Sequence, residues 1–385
     1  MLKPLTLRMP GHKLPQGPYW LKEKKKFQMA EYTTILNEKI APLEVGYETY
    51  GELNPAKSNA ILICHYYTGN SNAAGKYTPD DLEPGYWDLI IGPGKAIDTN
   101  QFFVVAVDTL CNLSVGDPRV ITTGPASLNP KTQKKYGMDF PMVGIEDFVR
   151  VQQALVASLG IQKLYAVAGP SLGAMQVLQW TVSFPEKVGR AIAVIGGGLD
   201  SPASVVANVD FWGTPITLDP LWQNGNYTKE KFPLAGMKQA LRLVTMTSLH
   251  PAWGTMIGGR EFATENHKEN PKENFTAKYF IQQALDELAL ARLNLMDPNH
   301  FLYMAKAVQN FSVRDRLDKI KCKVLFITAE SDLLMLPDFS IQACHELKNL
   351  GLDAQYFEIK GQGGHLDGIF AIDRAAPVIQ NFLQN

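Results

Sequence analysis

The apolar run Leu164-Tyr165-Ala166-Val167-Ala168 ends in Gly169-Pro170-Ser171-Leu172-Gly173, and Ala174-Met175-Gln176-Val177-Leu178-Gln179-Trp180 follows at once. No other stretch limits the fold as much. The order is strand, tight turn, helix, and a serine stands at the apex. Glycines two positions before and after it remove side chains that would collide where strand and helix cross closely. Pro170 holds Gly169 in the extended geometry of a strand end. The turn presents the Ser171 hydroxyl above a helix N-terminus, whose free N–H groups favour developing negative charge. This is the setting for a nucleophilic serine.

Such a serine needs a base, and the base needs an orienting acid. On a strand–helix elbow the acid and then the histidine follow the serine in sequence. Two histidines lie near the C-terminus. His345 falls in the helical pattern Ile341 to Leu347 and reads as a surface or packing residue. His365 follows the last strand in Gly361-Gln362-Gly363-Gly364-His365, a loop that can carry a base. The acid is sought after the run Val324 to Thr328, among Glu330, Asp332 and Asp338. Asp332 is preferred: Glu330 is nearly in the strand, and Asp338 reads as a helix cap after Pro337. Asp367, two residues past His365, is too local to orient its ring. An oxyanion hole requires backbone N–H donors. Leu172 supplies one, and Tyr67, in the loop His65-Tyr66-Tyr67-Thr68-Gly69, supplies the other. His65 precedes the nucleophile and reads as a residue that structures this loop.

Further short apolar runs occur at residues 60–64, 102–107, 191–195, 324–328 and 356–359. They scarcely alternate with polar residues, as expected of parallel strands buried on both faces. Helical patterns fall between them, at 145–159, after Ser171, at 338–350 and at 376–383. The fold class is therefore α/β, a mostly parallel doubly wound sheet. The stretch from Glu44 to Leu53 alternates and reads as antiparallel edge structure. Strand signals vanish from 199 to 311, where Pro-, Trp- and Gly-rich loops precede helical patterns at 232–249 and 277–295. We read residues 1–198 and 312–385 as the core domain and 199–311 as an inserted helical cap, or lid.

Thirty-seven basic and 38 acidic residues nearly cancel, which argues against a nucleic-acid or anionic-membrane partner. The basic run Lys22 to Lys26 reads as a solvated loop. Cys64, Cys111, Cys322 and Cys344 are too scattered for a CxxC pair and are expected to be reduced thiols. Neither an apolar leader segment nor a run of about 18 apolar residues is visible, so a cytoplasmic enzyme is expected. No metal site is expected, and His250 and His267 have no ligand spacing. No cofactor is expected either, since phosphate-loop and dinucleotide fingerprints are missing.

Several segments resemble the homoserine O-acetyltransferase family of the α/β-hydrolase superfamily: residues 46–51, 124–130, 136–141, Gly169 through Trp180, Asp219-Pro220-Leu221-Trp222 and Phe301-Leu302-Tyr303-Met304. The resemblance implies the α/β-hydrolase fold, a triad of Ser171, Asp332 and His365, and a homodimer held through the cap. Apolar cap residues Leu241, Val244 and Met246 are expected at that interface. Two family handles for homoserine have no counterpart. An Asp that meets the amino group follows the family's histidine, and Leu366 stands there. An Arg that holds the carboxylate has its place at Gly213. Tyr66-Tyr67 also replaces a smaller pair in the oxyanion loop. The implied substrate is a small acyl ester or an acyl-CoA. The favoured reading is an esterase releasing the acyl group to water. An O-acyltransferase is the alternative, and a non-catalytic binding scaffold is disfavoured by the complete triad.

Overall fold

The computed structural model describes residues 5–263 and 270–385. Its eight-stranded sheet contains β1 (Lys25–Met29), β2 (Leu43–Tyr50), β3 (Ala60–Cys64), β4 (Phe103–Val107), β5 (Ala166–Pro170), β6 (Arg190–Val194), β7 (Lys323–Ala329) and β8 (Ala354–Ile359). Their spatial order is β1-β2-β4-β3-β5-β6-β7-β8. From β4 to β8 the pairings are parallel, while β1 and β2 run antiparallel at one end. The apolar runs lack alternation because both faces are covered. Leu62 and Cys64 join one core cluster, whereas Ile61 and Ile63 join the other. This is the α/β-hydrolase arrangement.

On one face lie α1 (Ile145–Ser158), α2 (Leu172–Ser183) and α8 (Pro337–Asn349). On the other lies the C-terminal helix α9 (Ala376–Gln384), which packs through Ile379, Phe382 and Leu383. Asp147 secures the start of α1: its carboxylate accepts from Gly144 N–H at 2.9 Å and from Tyr32 Oη at 2.7 Å. Between β3 and β5 the chain reverses the direction in which successive strands are added. Ligands of open α/β sheets bind outside the strand C-termini at such a reversal.

Between β6 and β7 lie α3 (Ala203–Leu218), α4 (Leu234–Ser248), α5 (Pro251–Met256), α6 (Phe280–Leu293) and α7 (Pro298–Gln309). This excursion is pinned where it leaves and returns: Ser201 N–H donates to Phe311 O and Val313 N–H to Leu199 O, each at 2.9 Å. The loop expected near 203–218 is instead helix α3. Val205, Val209, Trp212 and Ile216 recur at helical spacing and are buried. Their burial outweighs the backbone hydrogen bond lost at Pro215.

The basic run is a second departure from the sequence reading. Lys25 and Lys26 begin β1 at the sheet edge, and β2, expected there, lies inside it. Lys22, buried, and Lys24, partly buried, pair with Glu48 of β2 at 3.0 and 3.1 Å, and Lys24 also meets Asp108 at 3.1 Å. Glu48 accepts further hydrogen bonds from Tyr50 Oη and Ser71 Oγ, at 2.7 and 2.9 Å. Asp108 accepts from Ser71 N–H at 2.8 Å, so the same cluster anchors the loop after β3. Removing one partner from such a buried ionic group costs about 3–5 kcal/mol.

Candidate active site

Ser171 sits in the left-handed backbone region, at φ 57° and ψ −118°. Its N–H is held by Val194 O of β6 at 2.8 Å. The glycines around it make room chiefly for β3. A Cβ on Gly169 would stand 2.5 Å from Cys64 O, and one on Gly173 would collide with that same carbonyl. Gly169 and Gly173 also approach each other, a Cβ on the former lying 2.9 Å from the latter's Cα. Collision within the elbow, expected from the sequence, is therefore joined by a tighter contact with the neighbouring strand.

Strands β5, β7 and β8 bring three side chains together at their C-terminal ends. Ser171 Oγ lies 2.8 Å from His365 Nε2, and His365 Nδ1 lies 2.7 Å from Asp332 Oδ2. The other oxygen, Asp332 Oδ1, accepts from Leu334 N–H and Met335 N–H at 2.9 Å each. All three residues are buried. The rejected acids lie elsewhere. Glu330 is exposed and pairs with Lys360 at 3.1 Å. Asp338 is the exposed second residue of α8, and the cap position there is Leu336, so Asp338 is not the cap expected from the sequence. His345 is exposed on α8. Asp367 reaches back to Gly363 N–H at 2.9 Å and does not touch the His365 ring.

His65 is buried and supports the loop facing the serine. Its Nδ1 lies 2.7 Å from Tyr66 O, and its Nε2 accepts from Thr109 N–H at 3.2 Å. The backbone donor on Nε2 places the ring proton on Nδ1, which donates to Tyr66 O. Burial pushes the His65 pKa below its ordinary value, in keeping with a neutral ring. Tyr66 O also accepts from Gly69 N–H at 2.9 Å. That peptide plane is thus fixed by its oxygen, with Tyr67 N–H at its opposite edge. Among the described residues neither Tyr67 N–H nor Leu172 N–H, the first of α2, has a partner. The Tyr67 ring is itself locked: its hydroxyl donates to Phe301 O at 2.8 Å, and it meets Trp212 edge-on.

Leu366 follows His365 and packs against the cluster of Leu249, Trp253 and Leu285 in the helical excursion, which Leu5 and Leu7 near the N-terminus also adjoin. Tyr66 lines a cavity of about 440 Å³ together with Leu5, Leu7, Thr68, Leu288 and Phe370. Gly213 is buried in α3, where the side chain nearest a Cβ would be Leu302 of α7, at 2.9 Å. Two neighbours of the site were not singled out from the sequence. Arg292 of α6 interacts electrostatically with Tyr66 and donates to Thr245 Oγ1 at 2.5 Å. It stands in an apolar helical pattern that gave no signal. The other is His12, on the turn Met9-Pro10-Gly11-His12. The Pro-Gly pair marks the turn, but nothing in the sequence shows where it docks.

A family model described as alpha/beta hydrolase fold matches residues 59–371. A homoserine O-acetyltransferase of Methanobrevibacter ruminantium is 36% identical over 371 residues, spanning 94% of this chain and 73% of the relative. The chain belongs to the homoserine O-acetyltransferase family of α/β-hydrolases. Homoserine O-acetyltransferase from Bacillus anthracis superposes with a TM-score of 0.90 at 38% identity, covering 95% of this chain and 98% of that one. Esterase E22 superposes with the same TM-score of 0.90 at 46% identity, covering 94% and 100%. Solved structures similar to this chain thus bear either name. Among the described residues no helix is long and apolar enough to cross a membrane, and no group of three His, Cys, Asp or Glu could hold a metal ion. His267 lies outside the described residues. The four cysteines are free and buried.

Proposed function

We propose that this chain is a serine esterase that hydrolyses short-chain acyl esters through an acyl-enzyme on Ser171. The observation that carries this reading is the unbroken hydrogen-bond chain Ser171–His365–Asp332, and among the described residues the Tyr67 and Leu172 N–H groups are left without partners. Ser171 Oγ attacks the ester carbonyl and passes its proton to His365 Nε2. The Tyr67 and Leu172 N–H groups receive the oxyanion. His365 returns the proton to the departing alcohol, then takes one from the water that releases the acid. Asp332 holds the histidine in the tautomer this needs. The helices of residues 199–311 serve as the lid.

Water as acceptor follows from the wall beside the base. Homoserine carries two charges, and burying one without its partner costs about 2–5 kcal/mol, or roughly 30- to 4,000-fold in recognition. Leu366 offers an apolar surface where the resemblance places an Asp, and Gly213 carries no side chain where it places an Arg. A second reading, transfer from acyl-CoA to an alcohol, is favoured by Arg292, a cation near Tyr66 that makes no ion pair among the described residues. Product analysis with short-chain esters and acetyl-CoA, with and without homoserine, separates the two. We expect acid release and negligible O-acetylhomoserine. Leu366→Asp should weaken turnover of apolar esters by about tenfold, the equivalent of ~1.4 kcal/mol, and yield only modest transfer. Efficient conversion of acetyl-CoA and homoserine by the wild type, with poor ester hydrolysis, would establish the transferase.

We also propose a cytoplasmic homodimer. Leu241 and Val244, expected at its interface, are instead buried inside the monomer, where α4 packs against α3 and α6. Helical spacing alone cannot distinguish these two fates. Exposed apolar side chains of the excursion include Phe211 and Leu218 on α3, Leu221 just after it, Leu234 and Met246 on α4, Phe275, and Leu290 and Leu295 at and beyond the end of α6. Light scattering at micromolar concentration should return twice the 42.7 kDa chain mass. A monomer mass would reject the dimer.

A further inference from the structure

The turn bearing His365 is closed by a side chain that takes no part in the triad. Asp367 Oδ2 accepts from Gly363 N–H at 2.9 Å, bridging over His365. A Cβ on Gly363 would strike the Asp367 carboxylate and come within 3.1 Å of His12 Cε1, so the closure leaves no room there for any other residue. The second oxygen, Asp367 Oδ1, lies 2.7 Å from His12 Nε2, and both side chains are almost wholly excluded from water. His12 is 355 residues away in sequence.

The ring of His12 is oriented from its other side. Met9 N–H donates to Nδ1 at 3.0 Å, so Nδ1 is bare and the proton sits on Nε2, aimed at Asp367. The turn that makes this possible has Pro10 at its first corner and Gly11 at φ 83° at its second, closed by His12 N–H to Met9 O at 3.1 Å. Gly11 supplies the left-handed conformation that this turn requires. The segment is anchored on both sides. Trp253 Nε1 donates to Thr6 O at 2.9 Å, Arg8 stacks 4.5 Å from the Phe370 ring centre, and Lys13 pairs with Asp373 at 2.9 Å.

We infer that His12 is a positioning residue that acts through Asp367 to fix the turn carrying His365, making the N-terminal arm part of the apparatus that aligns the base with Ser171. This rests on the reading of His365 as the general base. A buried carboxylate deprived of one of its two donors must seek another. The turn it closes then moves, and misplacement of a catalytic group by about 1 Å can cost on the order of 100-fold.

The test compares ester hydrolysis by His12→Phe and His12→Gln, with turnover expressed per serine titrated by a fluorophosphonate. Phenylalanine keeps a ring beside Phe370, 6.1 Å between centres in the native pair, but breaks both hydrogen bonds. Glutamine can donate to Asp367 and accept from Met9. We expect kcat of His12→Phe to fall about 10- to 100-fold with KM within about twofold, and His12→Gln to recover to within about threefold of wild type. If His12→Phe does not fold, Asp367→Asn tests the link from the loop side, with the same fall in kcat at steady KM. Wild-type kcat per site in His12→Phe, or equal losses in both His12 variants, overturns the inference while an inactive Ser171→Ala leaves the triad standing. A fully active Ser171→Ala overturns both.

Discussion

Replacing Ser171 by Ala is expected to lower kcat by about 10⁴- to 10⁶-fold and leave the thermal midpoint near wild type. The loss is large because the serine, histidine and aspartate act as one unit, so removing the nucleophile wastes the other two. The fold should tolerate the change. Ala at 171 inherits the same φ of 57° and the same N–H bond to Val194 O, and only the hydroxyl facing His365 is lost. Burst kinetics with an activated short-chain ester provide the measurement: wild type should release a stoichiometric burst of alcohol, the variant none. Normal turnover by the variant would discard the acyl-enzyme mechanism.

Asp332→Asn is expected to cost about 10⁴-fold in kcat with the fold intact. The reason is visible in the two oxygens. Oδ1 accepts two backbone N–H groups, from Leu334 and Met335, so an amide there keeps its oxygen on that side and turns its NH₂ towards His365. That amide donates to Nδ1, which must then be bare. The ring proton moves to Nε2, facing Ser171 Oγ, and the base can no longer accept. The same substitution at exposed Asp338 should leave turnover unchanged within about twofold, since exposed positions away from a site rarely matter. Steady-state rates and circular dichroism on both variants check this. A large loss at Asp338 alone would refute the assignment of the acid.

The sequence made the elbow legible because its needs are local: two glycines, a serine and a strand-to-helix switch within about ten residues. The central strands were legible for a related reason, since burial on both faces leaves no polar residue to blur an apolar run. Other features depend on distant partners. Lys22 and Lys24 look like surface charges until Glu48 and Asp108 are beside them. Helix α3 was hidden by Pro215 and by its lack of a polar face, although Val205, Val209, Trp212 and Ile216 carried the spacing. His12 illustrates the limit. Its role is set by an aspartate at the far end of the chain, and a single sequence holds no trace of that pairing.

The excursion between β6 and β7 leaves and returns through adjacent hydrogen-bonded residues, Leu199 and Ser201 beside Phe311 and Val313. Joining two points already held together makes the closure entropy of the segment between them nearly indifferent to its length. Evolution can therefore lengthen, shorten or exchange these helices without unravelling the strands beneath.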